Sequence, residues 1–172
     1  MRALHLHHDP NSSPGLVGEA LSERGVEAVT HQVCHTPGSP VGSTDFPDPT
    51  AFDLVVVYGS RWSVYDPDAA HWVLPEQELL RAADRAGVPV LGMCFGGQLL
   101  SAAHGGAVGP GARPEVGWFE VDTASDLVAA GPWLQWHFDV FEVPRGADRL
   151  ASSVVGPQAF RLRRNLATQF HP

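Results

Sequence analysis

The stretch from Val88 to Leu100 constrains this chain more than any other part of it. Val88-Pro89-Val90-Leu91 is an apolar run that reads as a buried strand. Gly92 is read as its end, Cys94 stands at the turn, and Gln98 to Ala103 reads as the first turns of a helix. A cysteine placed between strand and helix exposes its sulfur above the sheet edge, where the helix N-terminus lowers the thiol pKa. Glycines at 92, 96 and 97 let backbone and substrate approach closely. On local chemistry alone Cys94 is either a small buried core residue or a nucleophile, and the glycine bracket is what favours the second.

The rest of the first hundred residues fits a sheet built around that strand. Arg2 to His8 predicts a strand, and Asn11 to Gly15 a turn with Ser13 as N-cap before Pro14. Leu16 to Arg24 predicts a helix stopped by Gly25, and Val26 to Val33 a second strand. Cys34 to Thr50, rich in Pro, Gly, Ser and Thr, predicts an exposed loop. Asp53 to Tyr58 is apolar enough for a strand covered on both faces. A helix follows from Ala70 to Ala86, containing Pro75 and ended by Gly87. Alternating strand and helix argue for an α/β chain with a doubly wound, mostly parallel sheet, helices on both faces and ligands at the carboxyl ends of the strands. Beyond Gly105 the period changes. Val116–Val121, Phe138–Val143, Arg149–Ser153, Ala159–Arg163 and Ala167–Phe170 read as short additional strands and hairpins.

Composition narrows the function classes. A length of 172 residues suits one domain with a full core. The net charge of -8 argues against nucleic acid as the main partner, and the eleven basic residues are all arginine, which removes lysine as a base or Schiff-base former. No apolar stretch approaches a membrane span and no secretory pattern opens the chain, so no membrane partner and a cytoplasmic location are expected. Two cysteines, 34 and 94, give no disulfide framework.

Five segments in a fixed order carry a resemblance: Gly92-Met93-Cys94-Phe95-Gly96-Gly97-Gln98; Val55 to Ser60 with Ser63 to Asp66; Glu115 to Trp118; Trp136 to Asp139; and Gln169-Phe170-His171-Pro172. Together they resemble the class I glutamine amidotransferases, especially stand-alone members similar to the glutaminase domain of GMP synthase. The resemblance implies a flavodoxin-like fold across a single domain, residues 1–172, and a Cys-His-Glu triad with Cys94 as nucleophile and His171 as base. It implies an oxyanion hole from the backbone N–H groups of Ser60 and Phe95. Gly59, Gln98, Trp118, His137 and Asp139 then map to substrate contacts. L-Glutamine or a related small amide is the implied substrate, a synthase or acceptor subunit the implied partner, and no cofactor is needed.

Three departures bear on that reading. The family usually ends in His-Pro-Glu, whereas the sequence ends at Pro172, which leaves open a domain lacking its C-terminal end, a Cys-His dyad, or another acid such as Asp139 or Glu142. Gly97 stands where many relatives carry histidine. Gly59-Ser60-Arg61-Trp62 replaces the frequent paired glycines and proline, so that Arg61 and Trp62 narrow the pocket or recognise a different carboxylate.

Other clusters point less far. His5, His7, His8, His31 and His35 lack the carboxylate or cysteine spacing of a zinc site, and no metal is expected. Gly105 to Gly111 lacks the Lys-Ser/Thr of a phosphate loop. Arg161, Arg163 and Arg164 suggest a solvated strand face. Three readings of function result: a glutamine amidohydrolase, a hydrolase of another γ-glutamyl or small amide, and a catalytically weak binding or regulatory subunit of the same fold.

Overall fold

The computed structural model describes residues 1–172. In chain order it contains β1 (Arg2–His7), α1 (Gly15–Glu23), β2 (Glu27–Gln32), β3 (Leu54–Val57), α2 (Ala70–Arg85), β4 (Val90–Met93), α3 (Phe95–Ala103), β5 (Val108–Thr123), β6 (Gly131–Phe141), β7 (Asp148–Ser152), β8 (Pro157–Leu162) and β9 (Asn165–Thr168). One nine-stranded sheet has the order β2-β1-β3-β4-β9-β8-β7-β5-β6. From β2 to β9 neighbours run parallel; from β9 through β8, β7 and β5 to β6 they run antiparallel. This is the flavodoxin-like α/β architecture with antiparallel additions, and the elements of the first hundred residues lie within a few positions of where the sequence puts them.

Side-chain alternation explains the two layers. Val55 and Val57 of β3 join Leu4, Leu6, Trp72, Leu80, Phe95 and Leu99 in the main core beneath α2 and α3, whereas Val56 points the other way, with Tyr58 and Met93, under Val17 and Leu21 of α1. Full burial of Trp72 and Phe95 contributes a few kcal/mol each. No helix is long and apolar enough to cross a membrane.

Four local readings need correction. Gly92 lies inside β4, not at its end; a Cβ there would stand 2.4 Å from Gly96 O, so the glycine serves the close approach of α3. The helix starts at Phe95, directly after Cys94, three residues earlier than expected. Ser13 does not cap α1: the N-cap is Pro14, with no side-chain cap bond. The strand expected from Val116 starts eight residues earlier, at Val108, as the 16-residue β5. A register shift against β6 between Pro110 and Glu115 absorbs Gly111 and Pro114, which a regular ladder would not.

Candidate active site

Cys94 occupies the N-cap of α3 at φ 54° and ψ -110°, a conformation that L-residues rarely adopt. The surroundings hold it there. Its N–H donates to Thr168 O (2.8 Å) at the end of β9, and Gly96, whose added Cβ would stand 2.2 Å from Val57 O, lets α3 press onto β3. Its Sγ donates to Trp136 O across a long 3.7 Å.

His171 arrives from the same strand end, three residues after Thr168. Its N–H donates to Leu134 O (2.9 Å), so the β5–β6 hairpin folds back over the carboxyl edge of the parallel sheet and closes one side of the site. Gly59 marks where the two side chains converge. A Cβ on Gly59 would lie 3.7 Å from His171 Cε1 and 3.9 Å from the Cβ of Cys94. The His171 Nε2 is buried without a hydrogen-bond partner.

Electrostatics run against the sequence expectation for the thiol. Burial pushes Cys94 up to about 11; a backbone N–H from Phe95 to the sulfur favours the thiolate but does not offset that desolvation, and the Asp139 carboxylate adds to the rise. Burial, and secondarily the nearby His137, lowers His171 from its ordinary value, so at neutral pH it is an uncharged base. The resting arrangement is therefore a protonated thiol beside a neutral imidazole.

A cavity of about 520 Å³ opens over Cys94, walled by Ser60 to Ser63 on one side, by Trp136 to Asp139 on the other, and floored by Gln98. The Ser60 N–H meets no backbone acceptor, and Ser60 Oγ holds the turn by accepting from Trp62 N–H (3.2 Å). Gln98 is buried and donates from Nε2 to Asp139 O and to Gln169 Oε1, both at 3.2 Å. The Asp139 carboxylate is held by Ser63 Oγ (2.6 Å) and Tyr65 Oη (2.8 Å), which leaves it bound to the cavity wall and not to His171; Glu142 is exposed. Arg61 reaches Asp9 (3.1 Å) at the rim. Trp118 is not among the residues that line the cavity and is 71% exposed on the hairpin.

Two buried imidazole–carboxylate pairs that sequence reasoning missed support these walls. His137 Nε2 lies 3.1 Å from Glu115 Oε2 and its Nδ1 2.9 Å from Asp139 O; the same Glu115 oxygen accepts from Ser153 Oγ and Gln158 Nε2. On the other side, His8 Nε2 lies 3.0 Å from both oxygens of Glu76, and both side chains are fully buried. A sequence signal for Glu76 exists: it interrupts the buried stripe of α2 formed by Trp72, Val73, Leu79, Leu80 and Ala83.

Known proteins resemble this chain in sequence and in fold. The family model described as "Glutamine amidotransferase class-I" matches residues 20–172. The glutamine-hydrolysing GMP synthase of Thermomicrobium roseum is 35% identical over 129 residues, covering 69% of this chain and 23% of that protein. The one from Aliarcobacter butzleri is 33% identical over 131 residues, covering 69% and 24%. The chain thus spans about a quarter of the length of these relatives. A glutamine amidotransferase from Thermotoga maritima superposes with a TM-score of 0.85 at 24% identity over 99% of this chain and 75% of that one. A glutamine amidotransferase from Methylobacillus flagellatus gives 0.84 at 23% identity over 99% and 69%.

Proposed function

The chain belongs to the class I glutamine amidotransferase family, and from that membership we propose that it hydrolyses the side-chain amide of L-glutamine through a thioester on Cys94, releasing ammonia for an acceptor on a separate subunit. The observation that carries the proposal is the strained Cys94 at the N-terminus of α3, with the His171 ring and the Gly59-Ser60 turn gathered around it. A merely packed cysteine has no use for that strain.

His171, neutral at rest, takes the Cys94 proton as the sulfur attacks the amide carbon. Charge develops on the carbonyl oxygen, which the Ser60 and Phe95 N–H groups receive. Collapse breaks the C–N bond; the imidazolium returns its proton to the departing nitrogen, which leaves as ammonia. Water, deprotonated by the same imidazole, then cleaves the thioester and frees glutamate and the thiol. Gln98, His137 and Asp139 shape the wall for the amino-acid end of the substrate. The exposed Val116, Trp118, Trp136 and Phe138 form an apolar face beside the mouth, suited to a docked acceptor subunit.

One observation favours a second substrate. Trp62, Trp136 and Phe138 line the cavity, and they suit a γ-glutamyl amide with an apolar group on its nitrogen. Ammonia and glutamate release from L-glutamine by the purified chain, beside Cys94→Ala and His171→Ala, tests the proposal, with an N-alkyl γ-glutamyl amide run in parallel. Loss of turnover in both variants supports it. Turnover of the substituted amide alone selects the second substrate, and turnover of neither refutes hydrolysis.

A further inference from the structure

The oxyanion-hole turn has a dedicated support in the protein interior. His8 follows β1 directly, its ring packed between Trp72 of α2 (centroids 5.5 Å apart) and Phe95 (4.7 Å, edge-on). One ring nitrogen meets the Glu76 carboxylate at 3.0 Å; the other, Nδ1, lies 3.3 Å from Gly59 O. A backbone carbonyl only accepts, so Nδ1 carries a proton whichever of His8 and Glu76 holds the proton between them. Gly59 O and the Ser60 N–H belong to one peptide unit, which is trans. In a trans peptide these two groups point in opposite directions. Drawing the carbonyl inward to His8 turns the Ser60 N–H outward, to the side on which Ser60 lines the cavity with Cys94.

We propose that the buried His8–Glu76 pair is a positioning device: by holding Gly59 O it orients the Ser60 N–H as an oxyanion donor, while its ring braces Phe95, whose N–H is the second donor. This rests on the oxyanion hole of the proposed hydrolysis. Glu76 keeps the fully buried His8 Nε2 partnered, and the pair links α2 to the turn after β3 through the end of β1. Neither residue touches substrate.

Two double variants separate positioning from packing. His8→Phe with Glu76→Leu keeps the volume and removes both buried polar groups together, so no charge is left unpaired. His8→Asn with Glu76→Leu restores one donor, because the Asn amide nitrogen stands as many bonds from Cα as Nδ1 does. The Phe/Leu protein is expected to melt near the wild type and to lose about 10- to 100-fold in kcat, less than outright removal of an oxyanion donor costs, with KM little changed. Iodoacetamide alkylation of Cys94, a displacement at carbon that needs no oxyanion hole, stays at the wild-type rate. The Asn/Leu protein regains most of the lost kcat. Equal kcat in all three proteins, or parallel loss of alkylation and turnover, overturns the proposal. Nitrogen-15 spectra of the wild-type imidazoles decide the contact independently of activity and of any variant: a proton on His8 Nδ1 is expected, and its absence overturns the tie. A wild type that shows this proton yet hydrolyses no amide counts against the proposed reaction, not against the contact.

Discussion

Gly59→Ala separates what the fold needs from what the chemistry needs. The added methyl would meet His171 Cε1 at 3.7 Å and the Cβ of Cys94 at 3.9 Å, both ordinary van der Waals contacts, and the Gly59 φ lies outside the left-handed region. The folded protein therefore accepts it, with stability unchanged or raised by about 0.4–1 kcal/mol through the lost freedom of the unfolded chain. The same methyl projects into the place where nucleophile and base converge, so a carbonyl bound there is displaced. Misplacement by about 1 Å costs roughly 100-fold in rate, or about 2.7 kcal/mol of barrier. Steady-state ammonia release read beside a thermal melt is the assay, with Gly96→Ala as contrast. At position 96 the methyl would overlap Val57 O at 2.2 Å, and the melting temperature falls instead. A Gly59→Ala protein that melts normally and keeps kcat/KM within about threefold of wild type would refute the placement of the site at this turn.

Other consequences are checked as directly. Burial pushes both Cys34 and Cys94 up to about 11, so iodoacetamide incorporation followed by peptide mapping rises continuously above pH 9 at each; a plateau near neutral pH at Cys94 contradicts the protonated resting thiol. Glu115→Ala strips His137, Ser153 and Gln158 of their shared acceptor and is expected to destabilise by roughly 3–5 kcal/mol, a fall of order 10 °C in Tm. Burial, aided by the charges of His5 and His8, depresses His7 to about 4. Below its ordinary value of 6.5 the unfolded chain takes up a proton that the folded one refuses. Stability is thus full above pH 6.5 and falls toward pH 4 by about 3 kcal/mol from this residue alone, with His5 and His31 shifted the same way. Melts between pH 7.5 and 4 measure the loss, and a flat profile contradicts it.

Local periodicity carries the parallel half. Asp53 to Tyr58 and Val88 to Leu91 read as buried strands because nearly every side chain of the strands they overlap, Leu54–Val57 and Val90–Met93, is covered. The hairpin is harder to see: Gly109 and Pro110 are turn residues in isolation, and only pairing with Val140 and Asp139 on β6 makes them strand. Cys94 stands out through its glycines, but the direction of its titration depends on how deeply the long-range β5–β6 fold buries it. His8 and Glu115 stay silent for the same reason, and Glu76 shows only as a break in the apolar stripe of α2. A charged residue declares a buried partner only when the partner, 68 residues away for His8 and Glu76, is in place.

The central claim is a covalent bond between Cys94 and the substrate's side-chain carbonyl. Acid quench of the chain in the first turnovers with L-glutamine, followed by peptide mass mapping, tests it most directly. The account predicts a γ-glutamyl group on Cys94, none on Cys34, and none in the His171→Ala protein. Glutamate formed without any acyl group on Cys94 under conditions that trap thioesters, or formed at an equal rate by Cys94→Ala, contradicts it.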